Sequence, residues 1–264
     1  TENITNFRGE SATVDYPNTV QVTLAGIAGD SWSLDAASPH LPNHEPLYFS
    51  RFANIFQDQT HRYSSTAASV SRANSPYDRL QALSATAQSP IPQDTPPHWQ
   101  INHTDDFTVA HPSYNFWLNV GAEGEILSVN NNNLRLSYSA GNLLAQANII
   151  DANNKVQTVI ATIENININQ WLAVAISFNN DNFTLTVDQQ HHAIPVTGGD
   201  WQYSDEEGAW LSLSPAFTGK LAGLRIYDLD SPELVQLAQS SGTYDGQGQA
   251  IVQLTLNDAV KQQD

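Results

Sequence analysis

Neighbouring carboxylates are the first groups in this 264-residue sequence that could do chemistry. Retaining hydrolysis of a glycosidic bond needs two carboxyl groups about 5–5.5 Å apart. Residues i and i+2 of a β-strand share a face, so Glu123 and Glu125 have a suitable spacing, but they flank Gly124 in a turn-like segment. Asp105-Asp106 and Glu206-Glu207 are adjacent, and adjacent side chains of a strand point to opposite faces. We therefore predict no catalytic residue and expect a protein that is not an enzyme.

Motifs for nucleophilic, metal and phosphate chemistry are also missing. The sequence has no cysteine, no Gly-x-Ser-x-Gly segment, no His-Glu-x-x-His segment and no glycine-rich phosphate loop. Its 27 acidic and 10 basic residues give a formal net charge of −17. A field of that sign repels nucleic acids and anionic membranes. We expect no nucleic-acid partner, and no apolar run is long enough for membrane insertion.

A cluster of rings and polar groups late in the chain has the composition of a sugar-binding loop. His191 and His192 are followed closely by Trp201, Tyr203 and Asp205. Aromatic faces can stack on sugar rings, and carboxylates accept hydrogen bonds from hydroxyl groups. These five residues are predicted ligand contacts, and a plain solvent-exposed polar loop is the alternative interpretation.

The elements that would position these residues are short strands. Glu125–Val129 and Leu134–Tyr138 surround the asparagine tract 130–133, which is a hairpin signal. Trp171–Phe178 is nearly continuously apolar and predicts a central strand covered on both faces, whereas Phe183–Asp188 alternates. Many short strands with Asn, Gly and Asp turns predict an all-β sandwich or jelly roll.

Three local predictions concern less regular segments. Phe107–Val109 has strand composition, and residues 64–75 are small and polar, which favours a loop or weak helix. Residues 231–238 are the best helix candidate, with Ser231 as N-cap and Pro232 at the first helical position.

Three ordered stretches carry a resemblance to a known family. Together they resemble the laminin-G-like jelly roll of the concanavalin A-like lectin and glucanase superfamily, found in bacterial surface proteins. The resemblance covers roughly residues 46–240 and implies a concanavalin A-like jelly-roll β-sandwich with one short C-terminal helix and extra flanking strands. The stretches are Asp106–Val109 with Phe116–Val120, Asn169–Phe178 with Phe183–Asp188, and Phe217–Asp228 with Ser231–Leu234.

The same resemblance implies further site residues. Members of the family can hold a structural calcium ion. In this chain Asp58 and Asp228 are the predicted ligands, and Asp188 is a third available carboxylate. A loop near the asparagine tract carries a calcium-ligating aspartate in laminin-G-like domains. This chain has asparagines there, which weakens a charge-based site, and Asn130, Asn132 and Asn133 are predicted ligand contacts. No motif requires a cofactor, and calcium is the one ion that the resemblance allows.

The expected organisation is an N-terminal extension over 1–45, the jelly roll over 46–240, and a C-terminal strand within 241–264. That last strand could pair with the N-terminal segment or with a neighbouring domain of a longer chain. We expect a non-catalytic module of a secreted or cell-surface protein that binds a glycan or an extracellular protein. A structural, assembly or receptor-binding domain of a fibre, adhesin or toxin complex is the alternative, and a glycan hydrolase or lyase is less favoured.

Overall fold

A computed structural model of the protein describes most of the chain. The residues described are 2–5, 11–14, 19–38, 46–50, 52, 63–75, 81–179, 181–196, 199–203, 208–229 and 235–255. These residues contain β-strands and one 3₁₀ helix but no α-helix. The chain divides into two compact units, Pro39–Leu234 and the pair of segments Thr1–Ser38 and Val235–Asp264. In sequence, the larger unit therefore lies between the two segments of the smaller one.

The strands are short and are separated by tight turns. In chain order they are β1 (Glu2–Thr5), β2 (Ser11–Val14), β3 (Thr19–Ala25), β4 (Ser31–Ser38), β5 (Tyr48–Ser50), β6 (Ser65–Ala67), β7 (Ser71–Asn74), β8 (Gln81–Ala85), β9 (Trp99–Asn102), β10 (Pro112–Val120), β11 (Gly124–Val129), β12 (Leu134–Ser139), β13 (Asn142–Ile150), β14 (Val156–Ile163), β15 (Trp171–Phe178), β16 (Asn182–Val187), β17 (Gln190–Pro195), β18 (Asp200–Trp201), β19 (Ala209–Leu213), β20 (Gly219–Asp228), β21 (Val235–Thr243) and β22 (Gln249–Thr255). The 3₁₀ helix is Asp105–Phe107.

The first sheet of the larger unit has the order β17-β16-β15-β10-β20-β8-β7, and β5 also pairs with β20. Its ladders are antiparallel. Every residue of β10 is buried, and so is every residue of β15 after Trp171. Burial on both faces explains why β15 shows a continuous apolar run rather than an alternating pattern.

The second sheet has the order β14-β13-β12-β11-β19-β9-β6, and β18 pairs with β13. Its ladders are also antiparallel. In β12 and β13 every second residue is buried and the residues between are half-buried or exposed. This period of two places one face of the sheet against an apolar layer.

The apolar layer between the two sheets is one continuous core. Phe116 and Leu118 of β10 enter it from the first sheet, and Leu136 and Ala145 enter it from the second. Full burial of a side chain such as Leu or Phe contributes about 1.5–3 kcal/mol, so this layer is the main source of stability. The predicted all-β, jelly-roll-type sandwich is confirmed.

The predicted C-terminal helix is wrong where the structure describes it. Residues 235–238 belong to β21, and residues 231–234 lie outside the described residues. The register of β21 runs antiparallel to β4, from Val235 opposite Ser38 to Thr243 opposite Ser31. Pairing with β4 satisfies the backbone of β21, and this tertiary gain overrides the local capping signal.

Two other local predictions need correction. Phe107 ends a 3₁₀ helix, and Thr108 and Val109 lie outside any strand. Buried Phe107 packs into the core instead of continuing β10 backwards. Within the supposed loop 64–75, β6 pairs with β9 and β7 pairs with β8. The small, polar residues of both strands suit the edges of the two sheets, where little apolar surface has to be buried.

The smaller unit consists of two-stranded antiparallel ladders. β3 pairs with β22 and β4 pairs with β21, while β1 pairs with β2. Gly26 N–H donates to the Gly248 carbonyl, and the ring of Tyr244 packs where a Cβ on Gly26 would lie. The terminal segments of the chain thus pair with each other along most of residues 19–38 and 235–255.

Candidate functional site: an aromatic and acidic rim

The best-defined site is the segment that leads from β9 into β10, residues 103–111, which we call the rim segment. Thr104 caps its 3₁₀ helix by accepting a hydrogen bond from Asp106 N–H at 3.3 Å. Pro112 then begins β10. Because no sheet ladder holds these residues, side chains from other parts of the chain help to fix the segment.

Tyr63 is the first of three anchors. Its hydroxyl donates a hydrogen bond to Asp106 Oδ2 at 3.0 Å. Its ring lies 4.6 Å, centroid to centroid, from the ring of buried Phe107. The half-buried Tyr63 therefore holds both the apolar and the charged side of the 3₁₀ helix.

Tyr203 is the second anchor. Val109 N–H donates to the Tyr203 hydroxyl at 3.0 Å, and the hydroxyl donates to the Val109 carbonyl. The Tyr203 ring stacks on the ring of Trp210, with centroids 5.7 Å apart and planes inclined by 27°. One residue thus bonds both backbone groups of Val109, although Val109 N–H also lies 3.0 Å from the Phe107 carbonyl oxygen.

Asp228, at the end of β20, is the third anchor. His111 N–H donates to Asp228 Oδ1 at 3.0 Å, and His111 Nδ1 lies 3.9 Å from the same oxygen. Leu229 N–H also donates to the His111 carbonyl at 2.9 Å. Asp228 is therefore a backbone anchor for the start of β10 while remaining exposed to solvent.

Two tyrosines at the rim have shifted acidities. Burial is the main cause that raises the pKa of Tyr203; the hydrogen bond from Val109 opposes the shift, and the charge of Asp228 adds to it. Burial, with a contribution from Tyr203, also raises the pKa of Tyr114, whereas the nearby Trp210 indole lowers it. Both phenols stay protonated at neutral pH, and the Tyr203 hydroxyl uses its proton on the Val109 carbonyl.

A row of rings supports the rim from inside. Trp210 lies 5.5 Å from Phe107 and 5.8 Å from His103, and Trp201 lies 6.5 Å from Tyr203 and 5.7 Å from Phe178. Trp201 and Trp210 are buried, whereas His103 and Tyr203 are half-buried. The partly exposed rings are therefore held by fully buried ones, which limits their motion.

The structure brings together three of the residues predicted from the sequence. Trp201 and Tyr203 are neighbours, and the charge of Asp228 acts on Tyr203. Trp201 is buried beneath the rim rather than on its surface. Asp58 and Asp205 lie outside the described residues, so their assignments stay predictions.

The two predicted histidines lie elsewhere. His192 is in β17 and its Nδ1 lies 2.9 Å from Thr162 N of β14, so it joins the edges of the two sheets. Thr162 pairs with Leu144, whereas Trp201 pairs with Ile149 on the same strand. Leu144 and Ile149 are five residues apart on β13, which corresponds to about 16 Å along the strand. His192 is therefore far from Trp201, and so is His191, which is exposed and adjacent to His192.

The asparagine tract serves the hairpin between β11 and β12. Asn130, Asn131 and Asn132 all have positive φ angles of 45–67°, a conformation that asparagine tolerates better than most residues. Asn133 Nδ2 donates to Asn130 Oδ1 at 3.1 Å, and Asn148 Nδ2 donates to Asn133 Oδ1 at 3.4 Å. Asn130 and Asn133 are buried, so Asn132, with Asn131, is what the turn presents to solvent.

The groups considered for catalysis make separate contacts. Glu123 accepts a hydrogen bond from Ala140 N–H at 2.8 Å, whereas Glu125 Oε2 lies 3.9 Å from Arg135 Nε. Ser69 and His98 are a further serine–histidine pair, with Ser69 Oγ 2.5 Å from His98 Nδ1. A histidine that activates a serine is oriented by a carboxylate that binds its second ring nitrogen. His98 Nε2 is buried without such a partner in the part of the chain that the structure describes.

No metal centre is evident within the described ranges, where no three His, Cys, Asp or Glu side chains are placed to hold an ion. Asp228 accepts a hydrogen bond from His111 N–H, and its assignment as a calcium ligand stays a prediction. The same ranges contain no helix with the length and apolarity needed to cross a bilayer.

Sequence reasoning missed Tyr63, Asp106 and His111. As half of an adjacent acidic pair, Asp106 gives no catalytic signal, and Tyr63 and His111 lie in segments without any periodic pattern. The available signal was the break at residues 108–111 before a strand that begins with proline, because such a break requires anchors from elsewhere.

Comparison with known proteins gives likeness of fold at low sequence identity. No family model and no curated protein matches the sequence. Domain 4 of AbnA, an extracellular GH43 arabinanase from Geobacillus stearothermophilus, was solved in complex with arabinotriose. It is 15% identical, and the match covers 70% of this chain and 93% of that domain at a TM-score of 0.50.

Two neurotoxin domains are more distant. The binding domain of botulinum neurotoxin DC, solved with rat synaptotagmin II, is 12% identical over 72% of this chain and 50% of that one, at a TM-score of 0.46. The serotype D ligand binding domain, solved with N-acetylneuraminic acid, is 14% identical over 69% and 47%, at a TM-score of 0.44. This chain spans about half the length of these two domains. The likeness to the arabinanase domain shows a shared jelly-roll-like β-sandwich.

Proposed function

We propose that this protein is a non-catalytic carbohydrate-binding module of a secreted or cell-surface protein, with a laminin-G-like body over residues 46–240. The ligand is held at the rim segment. The observation that carries the proposal is that Tyr63 and Tyr203, both half-buried, are each tied by their hydroxyl groups to the segment that presents Asp106.

The chemistry of the rim suits a sugar. Partly exposed aromatic rings offer an apolar face for the C–H side of a sugar ring. Asp106 and Asp228 are exposed carboxylates that each use one oxygen in an anchor, through Tyr63 and His111. Their other oxygens can accept hydrogen bonds from sugar hydroxyl groups. Because the anchors already order these groups, binding costs less conformational entropy.

Two observations support binding rather than catalysis. Glu123 and Glu125, the pair with suitable spacing, have different partners. The likeness of fold to the arabinanase domain, which was solved with arabinotriose, also supports a glycan ligand and an extracellular location. An extracellular protein is the other ligand class predicted for the module.

The proposal is tested by a glycan array with the full chain, followed by calorimetric titration with arabinotriose and every glycan retained. We expect Tyr63→Ala to weaken binding at least tenfold, and Tyr244→Ala, a change in the smaller unit, to leave it unaltered. Thermal unfolding of both variants shows whether the fold is kept. If no glycan binds, or if Tyr63→Ala binds like the parent, the proposal is wrong.

A second function, assembly with neighbouring domains or copies, is favoured by the smaller unit. Isolated two-stranded ladders are marginally stable in water, and Ile27 and Ile251 are 72% and 66% exposed. Residues 19–38 and 235–255 contain no Lys, Arg or Pro, which are residues that commonly protect open strand edges. Light scattering should show an oligomer that Ile251→Lys dissociates. A monomeric parent chain would exclude assembly with further copies of this chain.

A further inference from the structure

The charges around the rim point to the class of glycan it accepts. Asp105, Asp106 and Asp228 are exposed there. The described residues of the rim segment, 103–111, contain no lysine or arginine. Along the sequence, Arg62 directly precedes Tyr63, whereas Asp205, Glu206 and Glu207 follow Tyr203 closely. Among the described residues of the rim segment, with Asp228, three carboxylates therefore stand without a lysine or arginine.

The hydrogen bonds within the rim also favour a ligand that brings donors. Asp106 accepts from the Tyr63 hydroxyl and Asp228 accepts from His111 N–H, so these two donors are already used within the protein. The Tyr203 hydroxyl is used on Val109 in the same way. The ionised carboxylates left at the surface can only accept hydrogen bonds. A ligand that meets them must bring donors, as a hydroxyl group does and a carboxylate does not.

We infer that the rim accepts neutral, hydroxyl-rich glycans and excludes glycans with a carboxylate or sulfate at the contacting sugar. This inference rests on the proposed function and adds the ligand class to it. An anionic sugar would place its charge beside several carboxylates, in the field of a chain with a formal charge of −17. The repulsion between the ligand's charge and each nearby carboxylate is additive, and salt screens this repulsion.

The test uses chemically matched ligands. Arabinan, xylan and β-glucan are each compared with a carboxymethylated sample of the same polysaccharide, by affinity gel electrophoresis and calorimetry at pH 8, where histidines in general carry no charge. We expect at least tenfold weaker binding of the carboxymethylated form at low salt, and a smaller difference at 0.5 M salt.

Variants localise the effect to the rim. The double variant Asp105→Asn, Asp228→Asn should reduce the ratio of the affinities for the neutral and the carboxymethylated ligand at least threefold. Asp94→Asn removes a charge from an exposed residue between β8 and β9 and should leave this ratio of affinities unchanged. Circular dichroism of the variants verifies that the sheets are intact.

The outcomes separate the two claims. If carboxymethylated polysaccharide binds as tightly as the neutral form, or if Asp94→Asn narrows the difference as much as the rim variants do, the inference is overturned and glycan binding stands. If no polysaccharide of either kind binds, the proposed function fails and the inference fails with it.

Discussion

Tyr203 and His192 both connect parts of the sandwich that are not ladder neighbours, but they do so with different strength. The Tyr203 hydroxyl donates to and accepts from Val109 at the same time, and its ring stacks on Trp210. His192 Nδ1 lies 2.9 Å from Thr162 N and 3.1 Å from Thr162 O. One ring nitrogen can serve only one of these groups at a time.

The difference shows where a preorganised surface can form. At the rim, buried rings and paired hydrogen bonds fix side chains that also face solvent. At the His192 edge, where β14 and β17 lie side by side, one ring nitrogen reaches the backbone of Thr162. This contrast is why the proposed ligand site lies at the rim, although the sequence places the two histidines among the strongest candidates.

Removal of the central ring should damage the rim most. Trp210→Ala deletes a fully buried side chain that contacts Tyr203, Phe107 and His103. We expect the free energy of unfolding to fall by about 3–5 kcal/mol, as measured by denaturant titration. Trp171→Ala, at a half-buried position, is the control and should cost clearly less. Equal losses of unfolding free energy in the two variants would mean that the contacts of Trp210 with the rim residues do not stabilise the fold more than those of Trp171.

Loss of one hydroxyl group tests the paired hydrogen bonds. Tyr203→Phe keeps the stacked ring but removes the partner of the Val109 carbonyl and leaves Val109 N–H with the Phe107 carbonyl alone, so we expect a loss of about 1–3 kcal/mol. Tyr138→Phe removes a single hydrogen bond to the Ile166 carbonyl and is the matched control. A smaller loss for Tyr203→Phe than for Tyr138→Phe would contradict the anchor role.

The histidine edge should respond more weakly. His192→Ala removes the contact with Thr162, and we expect a loss of about 0.5–1.5 kcal/mol together with faster hydrogen exchange at the Thr162 amide. His191→Ala, at an exposed position, should change stability by less than about 0.5 kcal/mol. If His192→Ala costs more than Tyr203→Phe, the ranking of the two regions is reversed.

The smallest effect concerns the turn between β16 and β17. Burial raises the pKa of Asp188 above 3.8, although the hydrogen bond from Ala173 N–H opposes the shift. The folded state therefore holds this proton more tightly than the unfolded state, so stability falls as pH rises through the window above pH 3.8.

Asparagine at position 188 keeps the acceptor for Ala173 without the charge. Asp188→Asn should be more stable than the parent at pH 7 by less than about 1 kcal/mol, because solvent screens a partly exposed group. The advantage should disappear below about pH 3.8. Denaturation at pH 3 and pH 7 measures this, and an advantage that persists at pH 3 would exclude the charge as its cause.

Local pattern was enough to predict the sandwich and most of its strands. The alternation of Leu134–Tyr138 and the continuous apolar run of Trp171–Phe178 follow directly from burial on one face or on two. Where local signals competed with pairing, as in residues 235–238, the prediction was wrong. A helix cap is worth about 1 kcal/mol, whereas β21 gains a full ladder with β4.

The composition of the sequence determined that this is a β-rich, acidic chain without cysteine chemistry, because charge and residue type do not depend on the fold. Which side chains meet was decided only by the tertiary structure. Tyr63 and Asp106 are 43 residues apart, and Val109 and Tyr203 are 94 apart. Strand order brings such pairs together, and it also carries His192 away from Trp201, because neighbours in a sheet are chosen by topology and not by distance along the chain.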